Sequence, residues 1–528
     1  MQVCSITPAP VDIDVHFITV PLYDHQKTSI QNMEALEKTP TVSIDAETSI
    51  ETTLGILSDL PGYGKTLSVL GLIGKTLYDP EEEFFLKEKR ETSMLVSKVK
   101  AKRLDQLSVS LILVNVSLLS QWIAELQRTT LRHLAVYTKS DIEGIDMSKY
   151  DVILVAHNVY NLFCQVYRNK CWKRFIVDEP ASLRIVAMEE CTAKFYWLVT
   201  ATPYELYPRK RSGFVNDLLP EFEWLKYIIL KNDDHYVKIS YDMPVTNHIY
   251  YTISCDMSKL FDGLVNQNTM EMLQAGNMQG VLASFGNLAD TIFDAFKQRK
   301  KKRLDELPAD EENVDKIQLV QNHLALLDER IRRYVSENTC IICAKPHAVS
   351  KDLHVLTCCQ TIFCGCDYIS ASGLATPVCP VCKSADTYSL PLVIDDVPEY
   401  SPQGVNFNVT KIYQTMSIIS DAVNKKILIF SNFNESFATI KKCLEEKHIL
   451  YLELRGTKEK RDNTIDLYKT GNVNVLLLNT IHSGAGLNLQ ETTDIIIYHR
   501  LHDYQKTQVL GRANRIGRKM NLNVHYLE

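Results

Sequence analysis

Two arginines three residues apart, Arg512 and Arg515, stand near the end of the chain within Gln508-Val-Leu-Gly-Arg-Ala-Asn-Arg515. Far upstream, Asp59-Leu-Pro-Gly-Tyr-Gly-Lys-Thr66 has the small residues and the lysine of a phosphate-binding loop. Positions three apart share one face of a helix, and we expect both arginines on such a helix. A guanidinium can neutralise the charge that develops on a transferred phosphoryl group. The two segments together predict an ATP-hydrolysing protein with one or both arginines as arginine fingers.

The phosphate loop is expected to join a short buried strand to an apolar helix. Gly62 and Gly64 would let its N–H groups face a phosphate at the helix N-terminus. Lys65 is expected to reach the β- and γ-phosphates, and the Thr66 hydroxyl to ligate Mg²⁺. Asp59 occupies the first glycine position of the strict pattern, so an ordinary strand-to-helix turn is an alternative interpretation of this segment alone.

A second acidic element favours the nucleotide interpretation. Arg174-Phe-Ile-Val-Asp-Glu179 is an apolar strand that ends in two carboxylates. Asp178 is predicted to hold Mg²⁺ through water, and Glu179 to orient and deprotonate the attacking water. A solvent-exposed strand end is the alternative for these two residues in isolation. Their position after the phosphate loop and before Thr200-Ala-Thr-Pro203 favours catalysis.

Composition limits the class of protein. The 528 residues predict three or four domains at about 150 residues each. No apolar run approaches the ~18 residues of a membrane span, and the first residues lack the pattern of a secretory signal. We therefore expect an intracellular protein with no membrane contact. The net charge of −6 argues against a uniformly basic nucleic-acid binder, but a local basic stripe could still bind phosphates.

The order of these motifs resembles that of superfamily 2 nucleic-acid motors, and specifically of the SNF2 family. The resemblance runs from about residue 20 to the C-terminus. Its remaining segments are 22–26, 111–122, 150–158, 248–259, 426–433, 455–456, Arg461 and 476–489. The resemblance implies that Gln26 reads adenine, that Gly486 lies at the nucleotide, and that 111–122 contacts DNA. Pro180 and Ala181 replace the family's Gly or Ala and His, which predicts weaker coupling between hydrolysis and DNA contact.

The resemblance implies an α/β fold with two RecA-like parallel-sheet lobes, a helical insertion and a small zinc module. The expected domains are an ATP-binding lobe at 1–216, a linker strand and helical insertion at 217–335, a RING-like zinc finger at 336–390, and a helicase lobe at 391–528. The implied function is an ATP-dependent translocase or remodeller on double-stranded DNA. The alternatives are a strand-separating DNA or RNA helicase, or a scaffold whose ATPase has decayed.

Eight of the 14 cysteines fall between 340 and 382, which predicts zinc rather than disulfides. Cys-x-x-Cys pairs let one tight turn present two thiolates to a tetrahedral Zn²⁺. The predicted ligands are Cys340, Cys343, Cys358, Cys359, Cys364, Cys366, Cys379 and Cys382. Their order resembles a RING finger, in which Cys340 and Cys343 would share a site with Cys364 and Cys366. Cys358 or Cys359 would join the last pair, and Thr361 replaces the usual histidine. Either the adjacent cysteines share the second site or that site is incomplete, so one zinc or two are both open.

Two functions are expected for a RING-like module. The resemblance implies that Ile342 and Pro380 contact a ubiquitin-conjugating enzyme and that Lys383 steadies the ubiquitin linkage. The alternative is a module that only packs against the motor or binds another protein.

Two segments lead into the cysteine cluster. The basic run 296–303 is interpreted as a nuclear-import signal, a DNA-phosphate contact or a solvated helix face. The amphipathic segment 317–331 is expected to stand the zinc module off the motor body. The compact chain resembles SNF2 proteins of large DNA viruses, so the nucleus and a cytoplasmic viral factory are both expected locations.

Overall fold

The structure is a computed structural model. It describes residues 4–5, 13, 15–76, 84–92, 97–207, 214–253, 256–308, 313–350, 352–364, 378–385, 387–392, 409–420, 425–479 and 487–527. The chain divides into two compact units. The first unit contains Met1–Pro244, Gly484–Gln490 and Asp503–Lys519, and the second contains Val245–Ser483, Glu491–His502 and Met520–Glu528.

The first unit is built on a parallel sheet. Its strands are β1 Cys4–Ser5, β4 Leu54–Leu57, β7 Ser110–Val114, β8 His133–Val136, β9 Val152–Ala156, β10 Lys170–Asp178, β11 Ala193–Val199 and β12 Ile229–Lys231. Their spatial order is β1-β12-β4-β11-β10-β7-β9-β8, and every pair along it is parallel. Two antiparallel hairpins accompany the sheet, β2 Thr41–Ser43 with β3 Ser49–Glu51, and β5 Phe84–Thr92 with β6 Ser97–Gln106.

Helices cover both faces of this sheet, so its central strands are continuous apolar runs. The helices are α1 Asp24–Lys38, α2 Lys65–Lys75, α3 Val116–Leu126, α4 Tyr160–Val166, α5 Phe214–Leu218, α6 Phe222–Ile228 and α7 Asp234–Ser240. Successive strand residues alternate between the two faces. In β10, Phe175 and Val177 belong to one core, whereas Ile176 belongs to the core on the opposite face.

The second unit contains a six-stranded parallel sheet of order β13-β21-β20-β17-β19-β18. Its strands are β13 Thr246–Tyr251, β17 Ile427–Ser431, β18 Tyr451–Glu453, β19 Val475–Asn479, β20 Asp494–Ile497 and β21 Leu522–Leu527. The predicted fold class, two parallel-sheet α/β lobes, is therefore confirmed. The edge strand β13 precedes the insertion in sequence and returns to pair with β21, the last strand of the chain.

The described part of the insertion between β13 and β17 begins with four α-helices, which are followed by a small antiparallel sheet. Its helices are α8 Gln267–Ala275, α9 Met278–Ser284, α10 Ile292–Glu306 and α11 Val314–Glu337, and its strands are β14 Leu353–Leu356, β15 Ile362–Cys364 and β16 Ser389–Pro391. Further along the chain come α12 Lys411–Ser420, α13 Glu435–Glu446, α14 Lys458–Thr470 and α15 Asp503–Ala513.

The helices of the insertion and the cysteine region share one hydrophobic core. Phe293 and Phe296 of α10 and Leu327 of α11 belong to the same buried cluster as Phe363 and Cys379. The apolar stripe of α11 thus packs into the core of the insertion and the cysteine region, and the expectation that 317–331 stands the zinc module off the motor body stays a prediction. Among the described residues, no helix is both long and apolar enough to cross a membrane.

Candidate nucleotide site and cysteine centres

The phosphate loop joins β4 to α2, as its sequence predicts. Gly64 is the N-cap of α2 at φ +77°, and Gly62 has φ +90°, both in the left-handed region that favours glycine. A Cβ on Gly64 would lie 2.1 Å from Nε2 of Gln26, so no larger residue fits there without displacing that amide. The loop thus places helix N–H groups at the opening of a cleft.

Lys65 lies in this cleft at the first turn of α2. Its Nζ donates hydrogen bonds to the carbonyl oxygens of Asp59, at 2.7 Å, and Leu60, at 3.3 Å. Burial lowers the pKa of Lys65, and the nearby carboxylates Glu179 and Asp178 oppose that effect. An ammonium group held among loop carbonyls is well placed to meet a phosphate.

Asp59 explains how the loop departs from the strict glycine pattern. Its side chain is 1% exposed and accepts hydrogen bonds from the backbone N–H of Asn232, at 2.7 Å, and from Asn232 Nδ2, at 2.8 Å. Ser29 Oγ of α1 donates to the same carboxylate at 3.3 Å. The carboxylate therefore ties the phosphate loop to α1 and to the segment that follows β12, a contact that the local sequence did not reveal.

Asp178 ends β10 on the cleft. The indole Nε1 of Trp122, on α3, donates to Asp178 Oδ2 at 2.7 Å. Burial, and then the neighbouring Glu179, raise the pKa of Asp178 to about 7. A divalent cation would supply the positive charge that this buried carboxylate lacks.

Glu179 has a left-handed backbone, with φ +45°, directly after the strand. Its N–H donates to the carbonyl of Val199 at 2.8 Å, and its Oε2 accepts from Thr200 Oγ1 at 3.1 Å. Burial raises the pKa of Glu179. A strained residue that is held on both sides is typical of a functional position. The contact to Thr200 gives the segment after β11 a role that the sequence order only suggested.

Gln26 lies on the wall of the cleft. Its Oε1 accepts from the N–H of Tyr23 at 3.0 Å, and its Nε2 donates to the carbonyl of Gly64 at 3.3 Å. The amide thus connects the start of α1 to the phosphate loop. Val20 and Pro21 line the cleft beside it, together with the Tyr23 side chain.

The two arginines reach the same cleft by different routes. Arg512 lies on α15 and is 5% exposed, but α15 ends at Ala513, so Arg515 lies just beyond the helix rather than on its face. Arg515 Nε donates to the carbonyl of Gly511 at 2.9 Å. Burial lowers the pKa of Arg515 to about 10. The prediction of one helical face is therefore wrong, although the turn after α15 still directs both residues to the cleft.

The segment after α15 is bonded to the phosphate loop. The N–H of Ile516 donates to the carbonyl of Gly62 at 3.2 Å. Gly511 approaches Pro61 so closely that a Cβ on Gly511 would lie 2.2 Å from the proline Cβ. This is why 503–519 belongs to the first unit, whereas the sequence grouped it with the rest of 391–528.

The cleft has a volume of about 470 Å³. Its lining includes the predicted residues Gln26, Gly62, Gly64, Lys65, Thr66, Asp178, Glu179, Arg512 and Arg515. Gly486 lies outside the described residues. Helix α3 also contributes Leu118, Gln121 and Glu125, although its sequence resembles a DNA-contacting segment. Sequence order could not show that one face of α3 turns toward the nucleotide cleft.

Seven of the predicted zinc ligands lie in two groups, and Cys366 lies outside the described residues. Cys358, Cys359, Cys379 and Cys382 form one group, and Cys340, Cys343 and Cys364 form the other. Within each group all ligand atoms lie within 4.8 Å of one another. The first group shows that the two adjacent cysteines point to one site, a possibility that the sequence left open.

The surroundings of Cys340 favour its thiolate. The N–H groups of Ile342 and Cys364 donate to Cys340 Sγ at 3.4 and 3.3 Å. The Cys364 thiol and these N–H groups lower the pKa of Cys340 to about 4. A thiolate that accepts backbone N–H groups, in a cluster of three or four cysteines, fits Zn²⁺.

A second layer of polar contacts surrounds the sulfurs. Thr387 Oγ1 donates to Cys358 Sγ at 3.0 Å, and His347 Nδ1 lies 3.8 Å from Cys364 Sγ. Contacts of this kind orient ligands around a metal.

The three residues proposed for ubiquitin chemistry lie on or beside the Cys-x-x-Cys turns. Pro380 is exposed, and Ile342 is partly buried against the shared core. Lys383 has φ +58°, and its carbonyl accepts from Lys442 Nζ at 2.9 Å.

Two protein families match the chain. The SNF2-related domain matches residues 25–224, and the helicase conserved C-terminal domain matches 410–519. The first match contains the phosphate loop and the acidic pair, and the second contains both arginines. Neither match covers the cysteine region.

Curated relatives support the same assignment. A helicase of Acanthamoeba polyphaga mimivirus is 24% identical, over 96% of this chain and 75% of its own length. An Arabidopsis thaliana protein named as a SWI/SNF-related regulator of chromatin is 22% identical over 89% of this chain. The E3 ubiquitin-protein ligase SHPRH of Mus musculus is 23% identical over 36% of this chain. The chain spans 62% of the length of the Arabidopsis protein and 12% of that of SHPRH.

One solved structure that aligns with this chain is the SWI2/SNF2 ATPase core of Sulfolobus solfataricus in complex with double-stranded DNA. The alignment covers 98% of this chain and 89% of the Sulfolobus chain, with 16% sequence identity and a TM-score of 0.32. The assignment rests on the two family matches and on the parallel sheets rather than on this superposition. The chain combines an SNF2-related domain with a helicase C-terminal domain, and it is homologous to SNF2-type ATPases.

Proposed function

We propose that this chain, which carries the two domains of an SNF2-type ATPase, is an ATP-dependent translocase or remodeller on double-stranded DNA. The observation that carries the proposal is the cleft in which Lys65, Asp178 and Glu179 meet Arg512 and Arg515. A partly buried lysine, two carboxylates and two guanidiniums around one cavity suit phosphoryl transfer from a nucleoside triphosphate.

The position of each residue in the cleft determines its role in the proposed reaction. Lys65 and the N–H groups of the phosphate loop would hold the β- and γ-phosphates, while Thr66 and Asp178 would hold Mg²⁺. The metal would neutralise charge on the phosphate oxygens. Glu179 would take the proton of the attacking water, since its side chain is fixed by Thr200 and its raised pKa suits a general base.

The DNA part of the proposal rests on the family matches and the motif order in both lobes. ATP turnover should rise more with duplex DNA than with single strands or RNA, and the rise should fall steeply with salt. Unwinding of a blunt duplex would favour a strand-separating helicase. Absence of turnover would favour a scaffold with a decayed ATPase.

We also propose that the cysteine groups bind zinc. The four-thiol group fits a tetrahedral Zn²⁺ site, and Cys366 would complete the other group. Metal analysis of freshly purified, reduced protein tests this proposal.

A ubiquitin-transfer activity is the second candidate function. It is favoured by the apolar side chains on the Cys-x-x-Cys turns, Ile342 and the exposed Pro380, and by the likeness to the ligase SHPRH. A RING uses such side chains to recruit a conjugating enzyme, and Lys383 would steady the conjugate. Reconstitution with a panel of conjugating enzymes tests it. The nucleus and a cytoplasmic viral factory both stay predictions for its location.

A further inference from the structure

Helix α10 carries four cations along one side of a second cleft. Arg299, Lys300, Lys302 and Arg303, here called the cationic stripe, line a cavity of about 740 Å³ within the second unit. The opposite wall is formed by the segments 264–269 and 283–288. The stripe lies in a groove with an opposing wall, which distinguishes it from a flat solvated helix face.

The groove borders the hydrophobic core of the insertion. Phe285 and Phe296 line it and belong to the core that is shared with the cysteine region. Lys300 Nζ lies 5.1 Å from the centroid of the Phe296 ring. The cations of the stripe therefore stand beside packed aromatic side chains of α10 and its neighbour.

The described part of the chain provides no ion-pair partner for the charges of the stripe. Among the described residues none of the four cations forms an ion pair, whereas Lys297, one turn earlier, pairs with Asp328 at 2.6 Å. Lys300 Nζ donates to His323 Nδ1 at 2.9 Å, a neutral partner. Burial, together with Arg303 and Arg299, lowers the pKa of Lys300. Glu306 is the one acidic residue in the described lining. An anion in the groove would relieve this repulsion.

We propose that the cationic stripe binds the phosphate backbone of duplex DNA, in a contact outside the nucleotide cleft. The four residues span about 6 Å of helix at 1.5 Å per residue. One strand of duplex DNA carries about one phosphate charge per 3.4 Å of axis, so roughly two phosphates of a single strand lie along the same length. The four cations are therefore enough to contact at least two neighbouring phosphates. Four cations without an ion pair among the described residues, in a chain of net charge −6, also favour an anionic ligand. The identity of the duplex as DNA rests on the proposed function.

The test is the salt dependence of duplex binding by the full chain without nucleotide. Combined Arg299→Gln, Lys300→Gln, Lys302→Gln and Arg303→Gln should weaken binding of a short labelled duplex at least tenfold at low salt. Each lost phosphate contact removes about 0.9 from the slope of log affinity against log salt, so the slope should fall by about two to four. Lys301→Gln is the matched control, because Lys301 lies on the same helix outside the lining. It should change the slope by less than one.

Additional measurements separate the stripe from folding and from the motor. Zinc content and thermal unfolding should match the wild type, since the four side chains are exposed or only partly buried. Basal ATP turnover should also match. An unchanged salt slope in the folded quadruple variant would overturn the proposal. Binding of polyglutamate, a model of an acidic protein, is measured in parallel. A variant that loses polyglutamate binding but keeps duplex binding would also overturn the proposal, because the stripe would then bind an acidic protein. A wild type whose turnover ignores duplex DNA would refute the proposed motor, but the change in slope would still report on the stripe.

Discussion

The indole Nε1 of Trp122 donates a hydrogen bond to Asp178 Oδ2 over 2.7 Å. It joins α3, whose sequence resembles a DNA-contacting segment, to the carboxylate that is expected to hold magnesium. Because both residues are buried, the bond fixes the orientation of the carboxylate before any metal arrives. The relationship places α3 against the carboxylate that the proposed mechanism assigns to Mg²⁺.

Replacement of Trp122 by Phe should weaken the use of magnesium. A hydrogen bond to a charged group contributes about 1.5–3 kcal/mol, so the Mg²⁺ concentration for half-maximal ATP turnover should rise on the order of tenfold or more. Trp197→Phe is the matched control, because that buried indole donates at 2.8 Å to Glu37 instead. It should lower stability without changing the magnesium requirement. If both variants showed the same dependence of ATP turnover on Mg²⁺ concentration, the role of Trp122 would be limited to packing in the core.

Arg512→Ala should lower ATP turnover on the order of 10³-fold while ATP binding persists, because the guanidinium stabilises charge in the transition state. Turnover under saturating ATP, with binding measured separately, checks this. Arg515→Ala is the comparison. A loss below tenfold for Arg512→Ala, with a large loss for Arg515→Ala, would transfer the role to Arg515, whose Nε is bonded to its own chain at Gly511.

The purified protein should contain close to two zinc ions per chain. Cys379→Ser should remove the ion of the four-thiol group and lower the thermal unfolding temperature of the second unit, because Cys379 belongs to the core shared with α10 and α11. ATP binding in the first unit should persist. Cys443→Ser, outside both groups, is the control. Freshly purified, reduced protein without metal would contradict the assignment.

If the cysteine module transfers ubiquitin, Ile342→Ala should abolish transfer while zinc content and ATP turnover remain. Ile342 lies between two ligands on a rigid turn, and a small interface depends on a few apolar anchors. Lys383→Ala should reduce transfer only in part, since it would steady a conjugate rather than recruit one. A broad panel of conjugating enzymes that gives no transfer with the wild type would leave the module as a protein-docking element.

The sequence predicted most of the nucleotide cleft because its motifs are local. The spacing of Gly62, Gly64 and Lys65 determines a loop before a helix, and the apolar run before Asp178 determines a buried strand. The supporting contacts were not predictable, because they join distant segments. Asn232 reaches Asp59 across 173 positions, and no local pattern marks that pairing.

The same reasoning explains what local patterns could not show elsewhere. The helical pattern around Arg512 gave no sign that α15 ends before Arg515, so one face was expected for both residues. The amphipathic pattern of 317–331 was correct as a helix, but the partner of an apolar stripe cannot be read from the stripe itself. That partner proved to be the core shared with the cysteine region.

The most direct test of the account is ATP turnover by the wild type and by Glu179→Gln, each with and without duplex DNA. The wild type should hydrolyse ATP in a Mg²⁺-dependent reaction that duplex DNA accelerates more than single strands or RNA. Glu179→Gln should bind ATP almost normally and lose hydrolysis, since it removes the base but no phosphate contact, whereas Lys65→Ala should lose both. Unchanged turnover in Glu179→Gln, or a wild type that responds only to RNA, would contradict the account.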